Sequence, residues 1–190
     1  MMVAQPQFHT ISPSEFDRFA LLPENRDRLF EFIAGEIVEV VSNPQSSNIA
    51  AIISAFLGIF VMQHNLGHVT GADGGYKVGG ERYIPDVAFI SYKRQRVLNH
   101  NDGYTPIAPD LAVEVLSPGN LDVDMDVKIA NYLAAGTVVW RVKPQEQQIA
   151  VFVPGVPVVI LGIKDTLDGG DVLPGFKLPL KDIFRTPPES

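Results

Sequence analysis

The segment Leu111-Ala112-Val113-Glu114-Val115-Leu116 is an apolar run broken by a single acid. It reads as a buried strand. An ionised carboxylate is costly to bury in such a strand unless something pairs with it. Any fold open to this chain therefore has to bring a partner to Glu114. The 190 residues suit one domain with a substantial core. An apolar fraction of 46% and a charged fraction of 19% exclude a disordered chain.

The rest of the chain supplies the elements around that strand. Ser12-Pro13-Ser14-Glu15 has the capping-box pattern with proline at the first helical position, so a short helix to about Leu22 is expected. Residues 28–41 read as two strands joined at Ala34-Gly35. A long helix is expected from about Ser46 to Asn65, ended near Gly67. Its apolar run Ile49–Met62 has 14 residues, short of the roughly 20 of a membrane span. A buried helix, or one at a subunit interface, is the better reading, and no membrane association is expected. Residues 68–92 are strand-like with glycine turns, and 93–108 read as a loop with one helical turn. Residues 121–136 then form a helix closed by Gly136, and 137–142 and 148–153 two more strands. The proline- and glycine-rich tail is expected to wrap the surface. No repeat or linker interrupts the chain, and a single mixed α/β domain follows.

Side chains alternate across a strand, which decides who shares a face. In Pro85-Asp86-Val87-Ala88-Phe89-Ile90, Asp86 shares a face with Ala88 and Ile90. In the run from Asp110, Glu114 shares a face with Ala112 and Leu116. Each acid thus has a small residue beside it, with room for an ion or ligand. If the two strands are neighbours, Asp86 and Glu114 converge, and paired carboxylates recruit a cation or shift a pKa. Hard oxygen ligands of this kind suit Mg²⁺ or Mn²⁺, and such a site can polarise a phosphodiester. The competing reading is structural: Asp86 begins a strand after Pro85, and Glu114 pairs with a lysine or arginine.

Other signals carry less. Asp122 to Asp126 imitates half of an EF-hand loop, but Val127 and Leu133 stand where glycine and glutamate are required. The stretch Gly71–Gly80 has neither P-loop nor dinucleotide spacing, and His9, His64, His68 and His100 form no zinc motif. Tyr92–Arg96 is the dense basic cluster, able to touch a phosphate but more simply a solvated loop. Tyr132 and Trp140 read as packing residues. With no cysteine, disulfides and thiolate metal sites are excluded, and a reducing, cytoplasmic setting fits. No basic segment precedes an apolar one at the N-terminus, so no secretory signal is expected. A net charge of −7 argues against nucleic-acid binding by charge alone, while leaving room for an enzyme that touches phosphates through a metal.

The ordered set of residues 30–40, 83–90, 109–118, 128–136, 138–142 and 170–180 resembles the Uma-two family of the PD-(D/E)XK nuclease superfamily. The resemblance covers about Ser12 to Phe184. It implies a restriction-endonuclease-like mixed central sheet flanked by helices, and a divalent-metal phosphodiesterase acting on DNA. It implies that Asp86 is the "PD" acid and Glu114 the following acid, both binding metal, with Glu31 completing the site. The family's lysine two residues after the second acid is Leu116 here. Lys128, on the next helix, is the candidate replacement, against an ordinary i,i+4 pair with Asp124. Glu31 has its own bland alternative, a pair with Arg28. The usual "SPxH" opening of the long helix reads Asn43-Pro44-Gln45-Ser46-Ser47-Asn48, with Asn48 expected at the histidine position. An asparagine is no general base near neutrality. An inactive protein that keeps the fold, as a homodimer through the Ile49–Met62 helix, is the second expectation.

Overall fold

The computed structural model describes residues 10–98, 103–118 and 122–185; His9 and His100 lie outside them. Ser12 caps helix α1 (Pro13–Ala20) through the reciprocal Ser12–Glu15 capping box, as its sequence pattern requires. Strands β1 (Phe30–Ile33) and β2 (Glu36–Glu39) form the expected hairpin. Its turn places Ala34 at φ 52° and Gly35 at φ 89°, the left-handed pair that joins two twisted strands. Helix α2 (Pro44–His64) starts two residues earlier than expected, because Asn43 caps it and Pro44 occupies its first position. It ends at Asn65, which takes the left-handed cap (φ 52°) assigned from sequence to the vicinity of Gly67.

Strands β3 (Gly67–Thr70), β4 (Tyr76–Val78), β5 (Glu81–Tyr83), β6 (Val87–Ser91) and β7 (Leu111–Val115) lead to helix α3 (Asp122–Ala134), closed by Gly136 at φ 75°. Strands β8 (Val138–Lys143), β9 (Gln148–Phe152), β10 (Val159–Leu161), β11 (Thr166–Asp168) and β12 (Lys177–Pro179) and helix α4 (Leu180–Ile183) complete the chain. Among the described residues the central sheet has the order β10-β9-β8-β7-β6-β3. Only β7 and β8 pair in parallel there, with α3 as their crossover; the other neighbours are antiparallel. A second sheet, β2-β1-β5-β4, lies beside α3.

Strand parity divides the core. Val87, Phe89, Leu111, Val113 and Val115 face α2, whose Ile49, Ile53, Leu57 and Val61 recur at four-residue spacing. Ala88, Ile90 and Ala112 face α3, with Met125, Ile129 and Tyr132. Helix α2 is long and apolar enough to cross a membrane by length and composition, but here its apolar stripe is buried in the main core. The tail departs from expectation. Leu167, Leu173, Phe176, Leu178, Leu180, Ile183 and Phe184 are all buried in the same core as α2. Their irregular spacing between prolines and glycines hid a packed cluster that only the folded path assembles.

Candidate active site

Strands β6 and β7 pair Val87 with Val113 and Ala88 with Ala112. One more step of that antiparallel register sets Asp86 opposite Glu114. Ala88 and Ala112 are fully buried beside the two acids. Asp86 also ties the strands together, its Oδ2 accepting the Val115 amide at 2.7 Å. Asp86 lines a cleft of about 350 Å³ together with Glu114, Glu31 and Lys128.

Lys128 reaches this point from α3. Its Nζ donates to Glu114 Oε2 at 2.9 Å and to Glu31 Oε1 and Oε2 at 2.8 and 3.1 Å. The i,i+4 alternative with Asp124 is therefore not what holds it. Glu31 arrives on β1 and is fixed by the Ile84 amide, which donates to its Oε1 at 2.7 Å. Arg28, its alternative partner, pairs instead with Glu39. The structure thus brings all four sequence-predicted residues to one cleft, three of them almost fully buried: Glu31, Glu114 and Lys128.

Tyr132 is a packing residue by its sequence pattern, and the structure gives it a second role. Its hydroxyl donates to Glu114 Oε1 at 3.1 Å, so both oxygens of Glu114 are occupied. Tyr83, which the sequence does not mark, also adjoins the site: its ring lies 5.5 Å from Lys128 Nζ, and its hydroxyl accepts from Asn131 Nδ2 at 2.7 Å. One signal for Tyr132 was present, since it follows Lys128 by four residues and shares its helix face. Nothing local marks Tyr83.

The electrostatics follow from one ammonium among three acids. Burial pushes Glu114 up to about 8; Lys128 opposes this, and the negative charges of Glu31 and Asp86 reinforce it. Burial also raises Asp86, against the pull of the Val115 amide and Lys128. Burial alone would depress Lys128, but Glu114 and Glu31 outweigh it and hold the ammonium above the usual lysine value.

Two nearby expectations are corrected. Counted from Asn43-Pro44, the histidine position of "SPxH" is Ser46, not Asn48. Asn48 is exposed, while the buried Ser46 hydroxyl donates to the Leu116 carbonyl at 3.1 Å and pins the start of α2 to the end of β7. In the basic cluster, Arg94 is a clip. Its Nη1 donates to the Ala108 and Pro109 carbonyls at 2.9 and 2.7 Å, and its Nε lies 3.2 Å from Asp110.

The Uma2 family profile, described as "Putative restriction endonuclease", matches residues 13–181. The chain belongs to the Uma2 family. Its fold is shared with a crystal structure from Anabaena variabilis ATCC 29413, described as a "putative nuclease belonging to DUF820". The two align with a TM-score of 0.80 at 22% identity, over 92% of this chain and 97% of the other. That likeness shows the fold: a restriction-endonuclease-like mixed sheet flanked by helices. No curated protein matches the chain.

The donor set fits a small, hard divalent cation. Among the described residues no group of three or more His, Cys, Asp and Glu side chains could hold an ion. Mg²⁺ does not require one, because it is held by one or two carboxylates, waters and substrate phosphate oxygens. Asp86 and Glu114, register neighbours on β6 and β7 that line one cleft, are the two carboxylates available for it, with Lys128 and Tyr132 already bonded to Glu114.

Proposed function

We propose that this Uma2 protein is a divalent-metal-dependent nuclease that hydrolyses a DNA phosphodiester. The observation that carries the reading is the Lys128 ammonium, which lies 2.9 Å from Glu114 and restores from a helix the cation that Leu116 removes from the strand. Asp86 and Glu114 would hold Mg²⁺ or Mn²⁺. The bound ion would supply Lewis-acid polarisation of the phosphate and a more acidic water.

The protein's own groups do the rest. Lys128 is held protonated by two carboxylates, so it acts as a hydrogen-bond donor and a positive charge beside the reacting water or phosphate oxygen, not as a base. Glu31 anchors that ammonium from the opposite sheet. Tyr132 keeps the Glu114 carboxylate oriented. The family description, "Putative restriction endonuclease", and that of the Anabaena protein, "putative nuclease", support a nucleic-acid substrate.

Calorimetry with Mg²⁺ or Mn²⁺ on the wild type and on Glu114→Ala, beside a cleavage assay on varied DNA, tests the reading. Expected are metal binding lost in Glu114→Ala and metal-dependent cleavage by the wild type. Metal binding indifferent to Glu114 refutes the site. A second reading, an inactive fold that self-associates, is favoured by Ile59 and Met62 on α2, which are 52% and 76% exposed. Metal binding without cleavage of any DNA, in a protein that sediments as a dimer, would favour it.

A further inference from the structure

A second cleft, of about 740 Å³, adjoins the first. The two share Ile84, whose amide holds Glu31, and Arg28 lines one while its partner Glu39 lines the other. Ile84 is two residues from Asp86, about 7 Å of extended chain. Whatever fills the second cleft is therefore a near neighbour of anything held at the carboxylates.

The lining is unusual for a wet surface. Among the described residues, Leu21 and Leu29 are 61% and 38% exposed inside a concavity. Beside them the chain presents positive charge in a protein whose net charge is −7. Arg26 is exposed and has no carboxylate partner among the described residues. Its backbone is nonetheless fixed by buried Asn25, whose Nδ2 donates to the Phe19 carbonyl at 2.8 Å and whose own carbonyl takes the Arg28 amide at 3.0 Å. Lys77 lies 3.2 Å from Asp17, but Arg82 already grips both oxygens of Asp17 at 2.8 Å, so the Lys77 ammonium is surplus charge. Asp73 on the same rim limits the positive potential without cancelling both cations.

A concave site that offers apolar surface beside one unpaired cation, Arg26, and a second, Lys77, that shares its carboxylate with Arg82 matches a nucleotide, which has a flat apolar face and an adjoining phosphate. A duplex does not offer this, because its base faces are stacked and only edges and backbone are presented. We propose that this cleft seats an unstacked nucleotide of a single-stranded segment adjoining the scissile phosphate. Its base lies against Leu21 and Leu29, and its phosphate is held by Arg26 with Lys77. The preferred substrate class is then DNA with a single-stranded end or flap. This rests on reading the carboxylate cleft as a nuclease centre.

Fluorescence anisotropy in EDTA, with labelled blunt duplexes and duplexes bearing 5′ or 3′ single-stranded overhangs, tests it. The full-length wild type is compared with Arg26→Ala and Leu21→Asp, both at exposed positions. The wild type is expected to favour one overhang over the blunt duplex by about tenfold, through apolar surface of the base buried against the leucines. Leu21→Asp should abolish that preference. Arg26→Ala should lower the slope of log affinity against log salt by about 0.7, one phosphate contact on a single strand.

Cleavage is measured separately on the same substrates. A wild type that cuts DNA without overhang preference, or keeps its preference in both variants, overturns the cleft assignment and leaves the nuclease reading intact. A wild type that neither cuts nor binds any of the DNAs overturns the nuclease reading and this inference with it.

Discussion

Replacing Lys128 by methionine isolates the central electrostatic claim. The side chain is 6% exposed and makes two ion pairs, at 2.8 Å to Glu31 and 2.9 Å to Glu114. Methionine fills much of the same volume, so the change removes charge more than packing. Two carboxylates then face each other in a site that water barely reaches, with Asp86 adding a third. Removing one partner of a buried pair costs about 3–5 kcal/mol, because the charge left behind is neither hydrated nor matched. At about 2–4 °C per kcal/mol for a chain of this size, the melting temperature should fall by roughly 6–20 °C. Urea denaturation at pH 9.5 and pH 6 measures the loss. It should shrink at pH 6, because Glu114, at about 8 in the folded wild type and higher without Lys128, is then protonated in both proteins. Breaking Arg28–Glu39, 2.6 Å long but about half exposed, should barely move the urea midpoint, since geometry without burial contributes little. A Lys128→Met loss below about 1 kcal/mol, or one equal at both pH values, would refute the buried-cluster argument.

Glu114→Gln removes an acid that burial disfavours and keeps an acceptor for Tyr132. Stability at pH 6, where Glu114 already carries its proton, should change little in urea melts, while Mg²⁺ binding by calorimetry is lost. Tyr132→Phe leaves Glu114 Oε1 without its donor at a cost of about 1–3 kcal/mol, and should move the pH midpoint of the Glu114-linked transition upward. That transition has a definite sign. Folding lifts Glu114 from its ordinary 4.5 to about 8, so between those values the folded state binds more protons than the unfolded. The contribution is complete below the lower value and is lost as pH rises through the upper one. Metal-free stability should therefore decline across that window by on the order of 1.4 kcal/mol per pH unit. Saturating Mg²⁺, which takes the place of the proton, should flatten the decline; a flat metal-free profile would contradict the assignment.

Local chemistry made much of the fold legible. Ser12, Pro13 and Glu15 start α1, Ala34-Gly35 turns the first hairpin, and Gly136 stops α3, because caps and left-handed turns depend on residues a few positions apart. The end of α2 was less readable, since Asn65 and Gly67 both suit a left-handed cap and only the path into β3 chooses between them. The tail was misread because its buried residues have no period; their order comes from a surface made by α2 and β8. At the site, parity alone put Asp86 with Ala88 and Glu114 with Ala112, while the family resemblance marked Leu116 as standing where a lysine is usual. The mutual position of the two acids follows from the antiparallel register of β6 and β7, which parity does not specify.

What the sequence determined by itself is which residues cannot be left alone. An acid inside Leu111–Leu116 must be matched, and Leu116 cannot match it; both statements follow from the energetics of burying charge. Only the tertiary structure decided what does the matching. Lys128 meets Glu114 because the parallel β7–α3–β8 crossover lays α3 over the face that carries the acid. Glu31 meets Lys128 from 97 residues away because the second sheet lies beside that helix and touches it through β1. Tyr132 changes from a packing residue to a carboxylate ligand for the same reason. A chain specifies its local turns through neighbours. The company its buried charges keep is set by how distant layers stack.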